Sequence, residues 1–483
     1  MNWNLLTPEL SLGVFALAVI IADLFVERKG ILAAMSVAGL VVAVGFSLAL
    51  WGGQTGTAFG GMLVVDEFAL FFKFLFCGAA ILVILASVDY VKKFPRFQGE
   101  YYALVLMATM GMMFMAGTGE LVSIYISLEL ASISLYILAG FMKDPKSAEA
   151  GLKYLLLGAV ASAVLLYGMA LIFGVTGQTN LGAIAEAIKG VGGPMESPAL
   201  LLGVVFLVAG FGFKIASVPF QMWVPDVYEG APTPVTALLS VASKAAGFAV
   251  IIRVFFSAFG GLEWLSLDWG ILFAVLAAVT MTVGNVVALH QTNIKRLLAY
   301  SSIAHAGYIM IGLAAVGMAP AGETLSRSGV LFYLAGYAVT NLGAFIAIIA
   351  ISGKQDSDHI DGYSGMSRRA PILALALTLC LISLTGIPPT AGFMAKIYIF
   401  NAAVQSNLLW LVVIGVINSA VSAYYYLRVV RVMYLGEPAS KEPVPSSGAL
   451  RTALALSCLG VLFMGIFPSF VIRVTEVAVR ILS

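Results

Sequence analysis

Long apolar runs recur along the whole chain, and they restrict the fold more than any other feature. Fourteen can be marked: about 8–26, 31–50, 62–89, 101–117, 120–142, 152–174, 199–225, 233–257, 269–290, 295–316, 328–352, 371–402, 407–433 and 449–472. An apolar stretch of about 18 residues or more is long enough to cross a bilayer as a helix. Only 10% of the 483 residues are charged, and mean hydropathy is +1.02. Soluble domains carry about 25% charged residues. The fold class expected is an all-α polytopic membrane protein of about 14 transmembrane helices. The longest polar stretches, 353–370 and 436–448, are loops, and no soluble domain fits between the spans.

An even number of spans puts both ends of the chain on one side. Seventeen Lys and Arg follow odd-numbered spans, five follow even-numbered ones, and the remaining four of the 26 lie inside spans. Cytoplasmic loops carry the excess of Lys and Arg. Both termini are therefore expected on the non-cytoplasmic side of the membrane. The start, MNWNLLTPEL, lacks the basic segment of a signal peptide. Helix 1 is expected to be retained.

Two spans are interrupted. Helix 7 contains Pro219, and helix 12 contains the pair Pro388-Pro389. Proline removes a backbone donor and breaks a helix. Inside lipid such a break persists only where protein or a water cavity satisfies the freed carbonyls. Helix 7 runs inward and helix 12 outward. A discontinuous helix recurring in opposite orientation is a mark of inverted repeats in transporters. The expected division is 1–100 (helices 1–3), 101–260 (first repeat, helices 4–8), 261–435 (inverted second repeat, helices 9–13) and 436–483 (loop and helix 14).

Several spans carry charge. Glu129, Lys214, Lys244 and Lys396 all lie deep. Each buried charge costs roughly 2.5–3.5 kcal/mol to insert. Four come to roughly 10–14 kcal/mol, against a net domain stability of about 5–15. Residues that expensive are expected either to move ions or to pair structurally and hold helices in register. Lys396 could also snorkel along its helix. His305 is eleven residues into its span, about 16 Å at 1.5 Å per residue. Histidine titrates near neutral pH, so a relay and a satisfied core histidine both remain open. Lys153 and Lys295 open their spans and suit either proton entry or interfacial anchoring. Lys73 follows Asp66 and Glu67 by about two turns, where a local pair or snorkelling is expected. Asp226 and Glu229 read as a solvated turn.

Redox chemistry is not expected in the chain itself. Its histidines, His290, His305 and His359, are too few and scattered for haem, and Cys77, Cys380 and Cys458 each sit alone in apolar runs. These thiols read as small buried hydrophobes, with no spacing for zinc or an iron–sulfur cluster. No dinucleotide fingerprint follows a strand. No cofactor and no metal are expected in this chain. A net charge of +2 indicates no nucleic-acid surface.

Three long motifs carry a resemblance: SLELASISLYILAGF around Glu129, FKIASVPFQMWVPDVYEGAPTPVTALLSVASKAAGF around Lys214 and Lys244, and HQTNIKRLLAYSSIAHAGY around His305. Over about residues 60–435 the chain resembles the antiporter-like membrane subunits of proton-pumping NADH:quinone oxidoreductase (respiratory complex I). Sister subunit L carries a long lateral C-terminal helix, whereas this chain stops soon after helix 14. Sister subunit M usually has a glutamate where Lys396 stands. The resemblance implies that Glu129 and Lys214 are the paired glutamate and lysine of helices 5 and 7. It implies that Lys244 is the central lysine of helix 8, Lys396 the helix-12 residue near the exit, and His305 a member of the central polar axis. It implies proton translocation while partner subunits, which hold FMN and iron–sulfur clusters, pass electrons from NADH to quinone. The partners implied are other membrane subunits, including subunit M and small membrane subunits, within the lipid bilayer. Two further functions remain open: a subunit of a multi-subunit cation/proton antiporter, and a non-transporting scaffold.

Overall fold

The computed structural model describes all residues except 1–2, 54, 191–196, 261–262, 319–323, 356, 439–441, 443 and 481–483. Lys441, one of the odd-loop cations, lies outside the described residues. Thirteen described helices are long and apolar enough to cross a membrane. Helix 12 completes the set of fourteen spans in two short pieces, Pro371–Thr385 and Ala391–Gln405.

Helices 8, 10 and 11 form the centre. The span Thr233–Phe259 is wholly buried, and Ile294–Met318 and Leu325–Gly353 nearly so. These stretches have no continuous lipid-facing stripe of large side chains. Small and hydroxylated residues are spread around every face, so neighbouring helices pack on all sides. Helices 1, 2, 6, 13 and 14 are the least buried of the thirteen and carry large apolar residues outward.

Both expected breaks are present. Helix 7 divides into Pro198–Ile215 and Trp223–Gly230, joined through Ala216 in the left-handed region. Trp223 Nε1 donates to the carbonyl of Phe213 at 3.1 Å, which satisfies an acceptor released by the break. In helix 12, Ser383 Oγ accepts from the Gly392 N–H at 3.1 Å and holds the two halves together. A Cβ on Gly392 would lie 1.8 Å from the carbonyl oxygen of Ser383. Gly392→Ala should therefore prevent stable insertion, and immunoblotting of membranes should show strongly reduced chain.

Four boundaries differ from the sequence reading, each for a local reason. Helix 3 starts at Glu67, not at 62. The preceding residues Leu63–Val65 pair antiparallel with Gly56–Ala58, and the Asp66 carboxylate caps the helix by accepting from Ala69 N–H at 2.7 Å. Helix 6 starts earlier, at Pro145, capped by Asp144, which places Lys153 two turns inside it. Helix 14 ends at Ile466, and Pro468 opens a separate helix to Val479. Proline cannot continue a helix but suits its first turn. Asp226 and Glu229 are not in a free turn: both belong to the second half of helix 7.

Lys73 also corrects the expectation. Its partner is neither Asp66 nor Glu67 but Glu9 of helix 1, at 2.7 Å, with both side chains fully buried. Asp66 is instead bound by Arg253 of helix 8. Cys77 and Cys380 are buried free thiols, and Cys458 is partly exposed.

Candidate functional site

A line of polar groups crosses the centre of the bundle. At one end, Glu129 projects from helix 5 on the perimeter and is half-buried. Its carboxylate accepts a hydrogen bond from Ser162 of helix 6. Lys214, in the last turn of the first half of helix 7, is buried, and its Nζ donates to Ser132 Oγ at 2.9 Å. Ser132 is one helical turn from Glu129. Lys214 and Glu129 thus bind separate serines, Ser132 and Ser162, and form no ion pair with each other.

Lys244 follows a single π-turn, Leu239–Ser243, inside helix 8. Such turns are frequent at functional sites. Its Nζ donates to the carbonyl of Ser302 at 2.6 Å and closely to the Ser302 hydroxyl. Tyr228, in the second half of helix 7, has its hydroxyl 3.4 Å from the same Ser302 Oγ. Two helices therefore converge on one serine beside the lysine.

His305 is one turn further along helix 10. Both ring nitrogens are occupied: Nδ1 lies 2.8 Å from the Tyr333 hydroxyl and Nε2 lies 3.4 Å from the Tyr426 hydroxyl. Tyr426 also makes a short bond to Ser301. The imidazole sits between two groups that can each donate or accept, an arrangement suited to handing a proton from one side to the other.

Lys396 lies at the break of helix 12. Its Nζ donates to the carbonyls of Thr385 at 2.8 Å and Leu384 at 3.2 Å, which end the first half. A cation is favoured at such a helix C-terminus. The ammonium also lies 4.7 Å from the centre of the Tyr308 ring. Snorkelling is not what satisfies it. Tyr308 in turn meets Asn285 at 3.3 Å, and Asn285 meets Asn418 at 3.1 Å.

Lys153 and Lys295 stand apart from this line, on the face formed by the odd-numbered loops. Lys153 is partly exposed and bridges Glu149 and Asp226 at 2.7 and 2.9 Å. Arg296 binds Asp226 and Glu229 from the other side at 2.8 and 2.9 Å. Lys295 is buried against Ala231 O at 3.1 Å and Asp358 at 3.4 Å. It lines a cavity of about 230 Å³ with Lys146, Glu229, Thr233 and Asp358. Glu229, which lines that cavity, directly follows Tyr228, so this polar pocket and the Ser302–Lys244 contact share one short helix.

The carboxylate, lysine and histidine members of the line were all evident in the sequence. Ser132, Ser162, Ser302, Tyr228, Tyr333 and Tyr426 were not. Hydroxyls within spans commonly satisfy the carbonyl one turn back, as Ser36, Ser47 and Thr109 do. No spacing in the chain separates those hydroxyls from the bridging ones.

Broken helices with lysines at their interrupted ends, joined by a buried polar line, define an ion-translocating membrane subunit. Residues 118–422 match the family described as NADH:quinone oxidoreductase/Mrp antiporter, transmembrane. The chain is 50% identical to NADH-quinone oxidoreductase subunit N of Dehalococcoides mccartyi, over 99% of each chain. Among solved structures it resembles a chain of respiratory complex I from Thermus thermophilus with bound aureothin (TM-score 0.81, 34% identity, 96% of this chain and 98% of that one). A chain of the Mrp complex from Dietzia sp. shares the fold, with TM-score 0.84 and 21% identity over 99% and 97%. The chain belongs to the NADH:quinone oxidoreductase/Mrp antiporter family of membrane subunits, and within it to the group of NADH-quinone oxidoreductase subunit N.

Proposed function

We infer that this chain is the proton-translocating membrane subunit of complex I, coupled to electron transfer from NADH to quinone in partner subunits. The observation that carries the reading is the buried line Lys214, Lys244, His305 and Lys396, each held by neutral hydroxyls, amides or carbonyls. Structural ion pairs would neutralise one another. These groups do not, and three of them sit at or beside a helix irregularity.

The contacts support these roles. Glu129 biases Lys214 across the two serines. Lys214 hands a proton on to Lys244 through water. Ser302 and His305 carry it towards Lys396, with Tyr333 and Tyr426 holding both imidazole nitrogens. The cavity bounded by Lys295 and Glu229 offers a polar approach to Tyr228 and so to Ser302. Lys153 acts through Asp226 as an anchor of that approach. Helices 4–8 and 9–13 form two inverted halves, each with one discontinuous helix. The redox groups, FMN and iron–sulfur clusters, belong to partners, and this chain carries none.

Copurification tests the assignment. Mild solubilisation should bring down flavin- and iron–sulfur-containing partners together with subunit M and small membrane subunits. Recovery in a flavin-free cation/proton antiporter assembly would contradict it. Sidedness has its own test. Thr55 and Lys92 are both exposed, on opposite faces. In inner-membrane vesicles, Lys92→Cys should react only with reagents that reach the cytoplasm, and Thr55→Cys only from the other side. The reversed pattern would overturn the orientation.

A further inference from the structure

Two buried hydroxyls beside Lys214 and Lys244 have no part in the line described above. Tyr154 of helix 6 and Ser243 of helix 8 are each only 1% exposed. Their hydroxyls face each other without forming a hydrogen bond, and neither has another partner among the described residues. Neighbouring hydroxyls behave differently. Ser127 and Ser134 of helix 5 and Ser240 of helix 8 each donate to a carbonyl of their own helix, at 2.6, 2.9 and 2.9 Å.

Packing fixes where the pair sits. The Lys214 stem crosses helix 8 at Gly247, where a Cβ would lie 3.2 Å from Lys214 Cγ. Gly247 is one turn beyond Ser243 and Lys244, so Lys214 crosses the same turn that carries them. The Tyr154 ring stacks on Trp223 at 4.4 Å and meets Tyr136 edge-on at 4.6 Å. Tyr136 stands one turn beyond Ser132, the serine that binds Lys214, and its hydroxyl reaches that serine. A Cβ on Gly158, one turn along helix 6 from Tyr154, would overlap the Tyr136 hydroxyl, so the glycine seats it there. On the other side, Trp223 meets Tyr228 edge-on at 6.3 Å. Tyr228 reaches Ser302 and so Lys244. Hydroxyl-bearing side chains thus follow one another from Lys214 through Ser132, Tyr136, Tyr154 with Ser243, Tyr228 and Ser302 to Lys244.

A buried hydroxyl without a partner costs roughly 1–3 kcal/mol. A water between two such groups removes that cost, given about two to four polar partners in all. A hydroxyl tied to a carbonyl has its proton committed, whereas those of Tyr154 and Ser243 can donate or accept. We propose that Tyr154 and Ser243 hold the water through which Lys214 passes its proton to Lys244. The proton leaves Lys214 Nζ, the water takes up one proton and releases another, and Lys244 Nζ ends protonated. Neither hydroxyl ends charged. This rests on the reading of both lysines as relay groups.

The alternative is an idle polar contact that only packs helix 6 against helix 8. Tyr154→Phe separates the two, because it keeps the ring between Tyr136 and Trp223 and removes the hydroxyl alone. An idle contact predicts unchanged coupling, since the only atom lost is a polar one without a partner. The measurement is protons translocated per NADH oxidised, in vesicles where assembly of the complex has been confirmed. Tyr154→Phe and Ser243→Ala should each lower the ratio about as far as Lys244→Ala does. Adding Tyr154→Phe to Lys244→Ala should lower it no further. A wild-type ratio in either single variant would overturn the proposal. So would a further fall in the double variant, which would place the effect off this route. A wild-type ratio in Lys244→Ala would instead overturn the relay reading itself.

Discussion

Lys244→Ala should leave the complex assembled but cut proton flux through this chain about 100-fold or more, the scale of losing one positioned proton-transfer group. The structure explains why assembly should survive. Among the described residues Lys244 has no ion-pair partner. Its Nζ is held by the carbonyl and hydroxyl of Ser302, which lies beside Tyr228. Removing the lysine removes an insertion cost of roughly 2.5–3.5 kcal/mol as well as those bonds. It also removes the lysine that stands between Lys214 and His305. A scaffold predicts either disturbed assembly or no change at all. Proton uptake by inverted vesicles, alongside native gels, separates these outcomes.

Glu9→Ala should be the most destabilising single change outside the central line, with Lys73→Ala close behind. The two groups are 2.7 Å apart and fully buried. Lys73 is about 9 Å inside helix 3, counting from Glu67 at 1.5 Å per residue. Breaking a buried pair leaves an uncompensated charge and costs roughly 3–5 kcal/mol. Replacing both partners by apolar residues of similar volume is often neutral or stabilising. Glu9→Leu combined with Lys73→Met should therefore recover most of the loss. The measurement is the thermal denaturation midpoint of the solubilised complex for both single variants and the double. A double variant as unstable as the singles would mean the pair does more than neutralise itself.

The features legible in the sequence were those whose cost is visible residue by residue. A proline in a span breaks a helix wherever it sits, so Pro219 and Pro388-Pro389 marked both discontinuities. A lysine in an apolar run is expensive wherever it sits, so Lys214, Lys244 and Lys396 stood out. Pairing was less legible. Lys73 has acidic neighbours about two turns away, yet it binds Glu9, because helix 1 packs there and Asp66 is already taken by Arg253. The start of helix 3 was misplaced because Leu63, Val64 and Val65 are apolar in a hairpin as in a helix. The π-turn before Lys244 has no compositional mark. It changes which way Lys244 points, and only packing decides it.

The same limit applies to charge geometry. Glu129 and Lys214 resemble a pair in the sequence, but each binds its own serine. A switchable pair needs a separated state as well as a closed one. Burial disfavours a charged lysine, and a nearby carboxylate restores it. Moving the carboxylate from Ser162 towards Lys214 would strengthen the lysine's hold on its proton, and withdrawing it would release that proton to Lys244. A neighbouring subunit's charge near the half-buried Glu129 could bias the two states.

That mechanism is tested most directly by counting protons translocated per NADH oxidised, in membranes where assembly has been confirmed. Wild type, Lys244→Ala, Glu129→Gln and Glu129→Asp should be compared side by side. The account predicts a lowered ratio in Lys244→Ala and in Glu129→Gln, and a milder loss in Glu129→Asp, which keeps the charge. Wild-type ratios in both Lys244→Ala and Glu129→Gln would contradict it.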